Sequence, residues 1–268
     1  MQARTLAQRA TQPGRFDVSA VDVRRRPSLS SAIARTARAS TSQTFGEVVK
    51  ERADALIRAH RDSPESQRFI AIAGPPGGGK STLTSAVCDA VNAEFDEDIA
   101  VIVPMDGFHY PMATLLKNKQ LFPDAELAVA RRGAPFTFDA GAFVECIQSL
   151  RTAGEGDVPT FDHEIHDPVS GGCAVKKVHR IILIEGNYLL LPEKPWRVLV
   201  DESVFDETWF VDTDVEEAMR RIITRHVRVG RTPKEAKKRA DTNDRLNAEL
   251  VVAASRDLAD ILVPSVQL

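Results

Sequence analysis

Cysteine is scarce in this chain. Cys88, Cys146 and Cys173 are scattered through 268 residues and form no C-x-x-C pair. Such usage gives no zinc signature and fits a reducing compartment. Long apolar runs are missing too. The longest, from Ile181 to Leu191, is broken by Glu185, Gly186 and Asn187, well short of the roughly 18–20 residues a membrane helix needs. Neither sign of charge dominates: 35 Lys and Arg face 38 Asp and Glu, a net charge of −3. That removes the global basic field that favours nucleic acid. Internal repeats are absent as well. What is present is 43% hydrophobic residues, enough for the core of one α/β domain with extensions, or at most two small domains.

The first 44 residues differ in composition from the rest. They carry Arg4, Arg9, Arg15, Arg24, Arg25, Arg26, Arg35 and Arg38 against Asp17 and Asp22, contain no lysine, and are rich in Ser and Thr. An Arg-rich, Ser-rich, acid-poor leader has the composition of a mitochondrial transit peptide. Pro13, Gly14 and Pro27 interrupt any long amphipathic helix, however. The expectation is a basic, disordered extension over residues 1–44 on a cytoplasmic protein, with the mitochondrial matrix as the alternative. No apolar h-region follows to support secretion. A chain truncated to begin near Thr41 is expected to keep full ATP turnover, and loss of activity in a folded truncation refutes this.

The strongest motif is Gly74-Pro-Pro-Gly-Gly-Gly-Lys-Ser81, the G-x-x-x-x-G-K-[ST] phosphate-binding loop. Its flanks agree with it. Arg68 to Ala73 is a short apolar run that reads as a buried strand, and Ser81 to Cys88 opens a helix without a breaker. A strand, a glycine loop and a helix in that order aim backbone N–H groups and the positive helix end at a polyphosphate. Gly77, Gly78 and Gly79 let the loop curl closely around phosphates. Lys80 reaches the β and γ phosphates, and the Ser81 hydroxyl is placed to ligate Mg²⁺. Gly74, Pro75 and Thr82 complete the nucleotide-binding set.

The remainder predicts alternating helices and strands. Helices are expected from Phe45 to the turn at Asp62–Pro64, with interruptions over 115–129, over 140–150 behind an Asp139 cap, over 214–229, and over 233–250 behind Thr232 and Pro233. Strands are expected at 99–103, 180–186, 208–212 and 260–264. Residues 157–168, with a turn at Ser170–Gly172, carry no assigned element. Buried strands alternating with helices imply an α/β fold of the P-loop NTPase kind. Its sheet is mostly parallel with helices on both faces, and a small lid and acceptor-binding insertion is added. The domain is expected to span residues 45–268. Ligands in such sheets sit at the carboxyl ends of the strands, which places Gly74–Ser81, Asp106 and Glu185 along one edge.

A P-loop identifies the nucleotide rather than the job. Asn118-Lys-Gln-Leu121 lacks the carboxylate with which a GTPase reads guanine. Val169-Ser-Gly-Gly-Cys173 imitates a transporter-ATPase signature, but six residues before the strand at Arg180 leave no room for the intervening helix. Mechanical ATPases usually end the third strand in Asp-Glu, and here it ends in Glu185-Gly186. A carboxylate after the second strand, Glu-Gly after the third and an Arg-rich helix end are instead the layout of a small-molecule kinase. Asp106 is placed to orient or deprotonate an acceptor hydroxyl. Glu185 suits a water-mediated metal contact or a hydrogen bond to the acceptor. Arg225, Arg228 and Arg231 are placed to close over the triphosphate as a lid.

Six segments carry a family resemblance. They are Gly74–Thr82, Met105-Asp-Gly-Phe-His-Tyr110, Arg132-Gly-Ala-Pro-Phe-Thr-Phe-Asp139, Pro159-Thr-Phe-Asp-His163, Ile184-Glu-Gly-Asn-Tyr-Leu-Leu190, and Arg225-His226 through Asn243-Asp-Arg-Leu-Asn247. From about Phe69 to the C-terminus the chain resembles the phosphoribulokinase/uridine kinase superfamily, in the branch that holds pantothenate kinase and nucleoside or sugar kinase-like proteins. The resemblance implies an ATP- and Mg²⁺-dependent kinase. Asp106 would be its catalytic base, Lys80 its phosphate clamp and Arg225 part of its lid. His109, Tyr110, Arg132, Asp162, His163 and Tyr188 would line the acceptor pocket. Departures from uridine kinases around Asp162–His166, and from pantothenate kinases after Phe161, leave the acceptor open among nucleosides, pantothenate-like molecules and sugars or sugar acids.

Lesser signals weigh less. His163 and His166 lie three apart between prolines and do not form a regular metal-binding helix. Asn243, Asp244 and Asn247 read first as helix surface, with contact to the nucleotide or lid as the alternative. Trp196 and Trp209 read as core or interface residues. The expected partner is the small-molecule acceptor, with no nucleic acid and no membrane, in a chain able to form a homodimer. The competing reading is an ATP-binding switch or assembly factor with no small-molecule acceptor.

Overall fold

The structure is a computed structural model that describes residues 43–162 and 164–265. The described strands are β1 (Arg68–Ala73), β2 (Ala100–Pro104), β3 (Gly156–Asp162), β4 (Asp167–Val175), β5 (Ile181–Glu185), β6 (Glu207–Asp212) and β7 (Ile261–Pro264). The helices are α1 (Phe45–Asp62), α2 (Lys80–Asn92), α3 (Met112–Lys117), α4 (Ala125–Ala130), α5 (Ala140–Ala153), α6 (Arg197–Asp201), α7 (Val215–Arg228), α8 (Pro233–Arg239) and α9 (Arg245–Ser255). Residues 1–42, which hold almost all of the expected basic extension, lie outside the described residues, as does His163.

Five strands form one sheet in the order β2-β5-β1-β6-β7, and every pairing is parallel. Successive side chains of a strand point to opposite faces, so a strand buried on both sides reads as a continuous apolar run. In β1, Phe69, Ala71 and Ala73 face a core with α5 residues Phe143 and Ile147, Val251 of α9 and Trp196. Ile70 and Ile72 face the other core, with Val48, Leu56 and Ile57 of α1, Leu83, Val87 and Val91 of α2, and Trp209. Both tryptophans are therefore core residues. No described helix is long and apolar enough to cross a membrane.

Local chemistry explains the helix boundaries. Thr44 caps α1 in a reciprocal box with Glu47, and Thr232 does the same for α8 with Glu235. Asp139 accepts from the Ala142 amide at the start of α5. Three expectations become more specific. The interrupted helix at 115–129 is two short helices, α3 and α4, separated at Pro123, with Asp124 capping the second. The long helix expected from Pro233 is α8 and α9 joined by a π-helical turn at Ala240–Asp244. Residues 156–175 form an antiparallel hairpin, β3 and β4.

Pro159, Pro168, Gly171 and Gly172 made the hairpin stretch read as loop. The ladder accommodates them with a register shift between Val158 and Thr160. The hairpin lies directly over the turn that carries Asp106. A Cβ on Gly107 would fall 1.9 Å from the Pro159 carbonyl oxygen, so Gly107 is there for close backbone approach. Gly107→Ala is expected to push the hairpin away and destabilise the domain by about 1–3 kcal/mol, the usual cost of overpacking. Thermal unfolding measures it, and an unchanged Tm refutes the tight contact.

Candidate active site

Because β5 lies between β1 and β2, the carboxyl ends of all three strands open on the same side. A cavity of about 670 Å³ sits there. Lys80, Ser81 and Thr82 enter it from the start of α2, Asp106 from the turn after β2, Glu185 from the end of β5, and Arg225 and Arg228 from α7. The sheet thus brings together residues spread over about 150 positions.

The P-loop depends on its glycines. Gly77 and Gly79 have φ of 77° and 93°, and Gly79 caps α2. A Cβ on Gly77 would lie 2.5 Å from the Ala218 carbonyl oxygen, so α7 is seated against the loop. Thr213, just past β6 and buried, donates its hydroxyl to the Gly78 carbonyl at 2.9 Å. Lys80 Nζ donates to the Pro75 carbonyl at 3.0 Å and to Asn187 Oδ1 at 2.7 Å. Burial lowers its pKa to about 8, with Glu185 and then Asp106 holding it up and Arg225 pushing it down. Below about pH 8 the Lys80 ammonium is therefore charged, and above it the proton is lost. ATP affinity is expected to fall as pH rises through about 8, measurable by titration calorimetry across pH. A flat profile to pH 9.5 would show that Lys80 keeps its proton over that range.

Burial raises the pKa of Glu185, Lys80 and a hydrogen bond from Ser81 oppose this, and Asp106 adds to it. One Glu185 oxygen, Oε2, is buried with no hydrogen-bond partner. A buried carboxylate oxygen without a donor, beside the Ser81 hydroxyl, is an all-oxygen set that suits a hard cation sharing its shell with phosphates and water. Among the described residues no three His, Cys, Asp or Glu side chains cluster as a closed metal cage. Asp106 is half-buried, and its carboxylate carries no hydrogen bond or ion pair to a described residue. Arg220 and Arg221 are engaged by Glu217. Arg225 and Arg228 also line the cavity and have no carboxylate partner among the described residues.

Of the residues assigned to the acceptor by resemblance, His109, Tyr110, Arg132, Asp162 and Tyr188 lie outside the cavity lining, and His163 lies outside the described residues. His109 holds the Asp106 carbonyl through Nδ1 at 2.8 Å and lies against Phe138 and Phe161, with ring centroids 3.9 and 4.9 Å away. Arg132 pairs with Asp167 at 2.6 Å, donates to the carbonyls of His166 and Tyr110, and covers the Phe161 ring. Tyr110 is half-buried against Phe122. Asp162 accepts from the amides of Glu164 and Ile165 at the hairpin turn. Tyr188 is fully buried and donates to the Gly133 carbonyl at 2.5 Å. Close to Gly133 lie Asn243, whose amide reaches the Arg132 carbonyl, and Asn247, which accepts from Arg131. Asn243 and Asn247 are thus buried struts under the 131–133 loop, not helix surface.

Two residues of the site escaped the sequence reading. Asn187 is two positions after Glu185 within a quoted motif, and Thr213 follows a strand end directly. The rule that ligands gather at strand carboxyl ends was the signal available for both.

A parallel sheet with a glycine loop capping α2, and carboxylates at the ends of neighbouring strands, defines a P-loop kinase. Residues 69–267 match the Phosphoribulokinase / Uridine kinase family, and the chain belongs to that family. It is therefore an ATP-binding transferase of the kinase type. A Schizosaccharomyces pombe protein named "Putative uridine kinase C227.14" is 38% identical over 187 residues, 68% of this chain and 77% of that protein. The "ATP-dependent kinase-like protein notR'" of Aspergillus versicolor is 41% identical over 155 residues, 55% of this chain and 87% of its own. The crystal structure of YFH7 from Saccharomyces cerevisiae shares the fold, with a TM-score of 0.69 at 20% identity, covering 82% of this chain and 99% of that one.

Proposed function

We propose that this kinase transfers the γ-phosphoryl group of ATP, in a Mg²⁺-dependent reaction, to a hydroxyl of a small metabolite. A nucleoside, a pantothenate-like molecule and a sugar or sugar acid are the acceptor classes. The observation that carries the reading is the Asp106 carboxylate, without a hydrogen-bond or ion-pair partner among the described residues, in one cavity with Lys80, Glu185, Arg225 and Arg228. Asp106 orients the acceptor hydroxyl and takes its proton as the oxygen attacks phosphorus. The P-loop amides and Lys80 hold the donor phosphates in line. Arg225 and Arg228 approach from α7 and balance charge on the transferring group. Ser81 and Glu185 are the residues that would hold Mg²⁺, whose contribution is to neutralise charge on the β and γ phosphates. The residues around Arg132 shape the acceptor end, because they fasten the hairpin above Asp106.

The test is a screen of nucleosides, vitamins, sugars and sugar acids for stimulated ADP release. Acceptor-dependent turnover with a phosphorylated product supports the reading. ATP hydrolysis accelerated only by a protein partner would replace it with a nucleotide switch.

A further inference from the structure

Of the charged side chains that line the cavity, Lys80, Asp106 and Glu185 do not pair with one another. Each carboxylate acts on the Lys80 charge through space. No ion pair within 4.0 Å links Lys80 to either one; its ammonium is bonded to the Pro75 carbonyl and the Asn187 amide oxygen. An ammonium has three N–H donors. Two are engaged, which leaves the third for a phosphate oxygen.

The position of Asn187 is built into the strand end. Gly186 separates it from Glu185, and a Cβ there would lie 2.6 Å from Met105 Cβ, so the turn after β5 lies tightly against the turn after β2. On the other side Tyr188 is buried and anchored to the Gly133 carbonyl. Asn187 is thus clamped between two fixed neighbours, with its amide oxygen 2.7 Å from Lys80 Nζ. The acceptor is neutral. It orients the ammonium without cancelling its charge, which a carboxylate at that distance would do.

From this arrangement we infer that Asn187 is a positioning residue: its amide holds Lys80 on the phosphate side of the cavity and keeps it from collapsing onto Glu185 and Asp106. The inference rests on the kinase reading above, since it assigns Asn187 a part in holding the donor phosphates. Without Asn187, the Pro75 carbonyl remains as a neutral partner, and the two carboxylates that act on the Lys80 charge become its competitors. A Lys80–Glu185 pair would occupy at once the phosphate clamp and an oxygen suited to the cation. Pairing with Asp106 would occupy the base.

The test is a double-mutant cycle on ATP dissociation constants, using the full chain with Mg²⁺ present. Asn187→Leu is expected to weaken ATP binding roughly tenfold, as for loss of one hydrogen bond to a charged group. Lys80→Ala is expected to weaken it by more. In the Lys80→Ala background, Asn187→Leu is expected to add less than about twofold, because residues acting through one another are not additive. Asn187→Asp keeps the shape and is expected to weaken binding further than Asn187→Leu, since its carboxylate competes with phosphate for the ammonium. It also serves as the folded variant if Asn187→Leu does not fold.

A merely structural role for Asn187 would make the two effects multiply in the double variant, and that outcome overturns the inference. So does wild-type affinity in both Asn187 variants. If the wild-type chain binds no ATP, the kinase reading falls and takes the inference with it. If the wild type binds and Lys80→Ala weakens binding while the Asn187 variants do not, the inference alone falls.

Discussion

Asp106→Asn is expected to lower acceptor phosphorylation by about 10²- to 10⁴-fold, the usual range for loss of a general base. The substitution keeps size and one carbonyl acceptor, so the turn after β2 survives. His109 continues to hold the Asp106 backbone carbonyl, which the change does not touch. What disappears is the charge that orients the hydroxyl and accepts its proton. The Asp106 carboxylate has no described hydrogen-bond partner, so no buried donor is stranded and the fold is expected to remain intact. ATP affinity is expected to change little, because the P-loop holds the phosphates. Turnover and nucleotide binding are measured on the same variant. Unchanged turnover removes Asp106 from the chemistry. Turnover that falls only in proportion to ATP binding moves it to the metal instead.

Lys80→Ala is expected to reduce phosphoryl transfer by at least about 10²- to 10³-fold, as removal of one preorganised charge-stabilising donor does elsewhere. Part of the loss appears as weaker ATP binding and the rest falls on the transition state, where negative charge builds on the transferred group and on the β phosphate. Stability tells a different story. Lys80 makes two hydrogen bonds, to Pro75 and Asn187, both at an open cavity where water can replace it. Removing it also removes an ammonium whose burial costs enough to bring its pKa to about 8. The Tm is therefore expected to stay within about 2–4 °C of wild type, equivalent to about 1 kcal/mol for a domain of this size. A Lys80→Ala protein that transfers phosphate at the wild-type rate would refute the proposed function. One that unfolds at ambient temperature would refute the view that Lys80 is there for ligand and not for fold.

Which parts of this were legible in the sequence follows from the range of the interactions involved. Strand β1, the glycine loop and the start of α2 are contiguous, and their chemistry is local: a run of apolar residues, three glycines, then Lys80-Ser81. The same holds for the capped helix starts at Asp139 and Thr232, where one side chain meets an amide three residues away. Asp106 and Glu185 were placed at the P-loop edge because a parallel sheet aligns all its strand ends, so only the strands had to be found. The hairpin was not legible. Its prolines and glycines carry a turn signature, and the backbone contact between Gly107 and Pro159 that gives it a place spans some fifty residues. The π-helical turn at Ala240–Asp244 within the last long helix is equally remote. Asn243 and Asn247 are drawn inward by the Arg132 carbonyl and the Arg131 side chain, more than a hundred positions away.

By itself, then, the sequence determined the parallel α/β sheet, the triphosphate loop and the two carboxylates, because each rests on short-range periodicity or a contiguous motif. Only the tertiary structure decided which side chains share a cavity with Lys80. It supplied Asn187 and Thr213, and it set Tyr188, Arg132 and Asp162 among the struts behind the site. Those roles depend on which carbonyl or carboxylate lies within hydrogen-bond reach across the chain. That reach exists only after the sheet and its covering helices have been assembled.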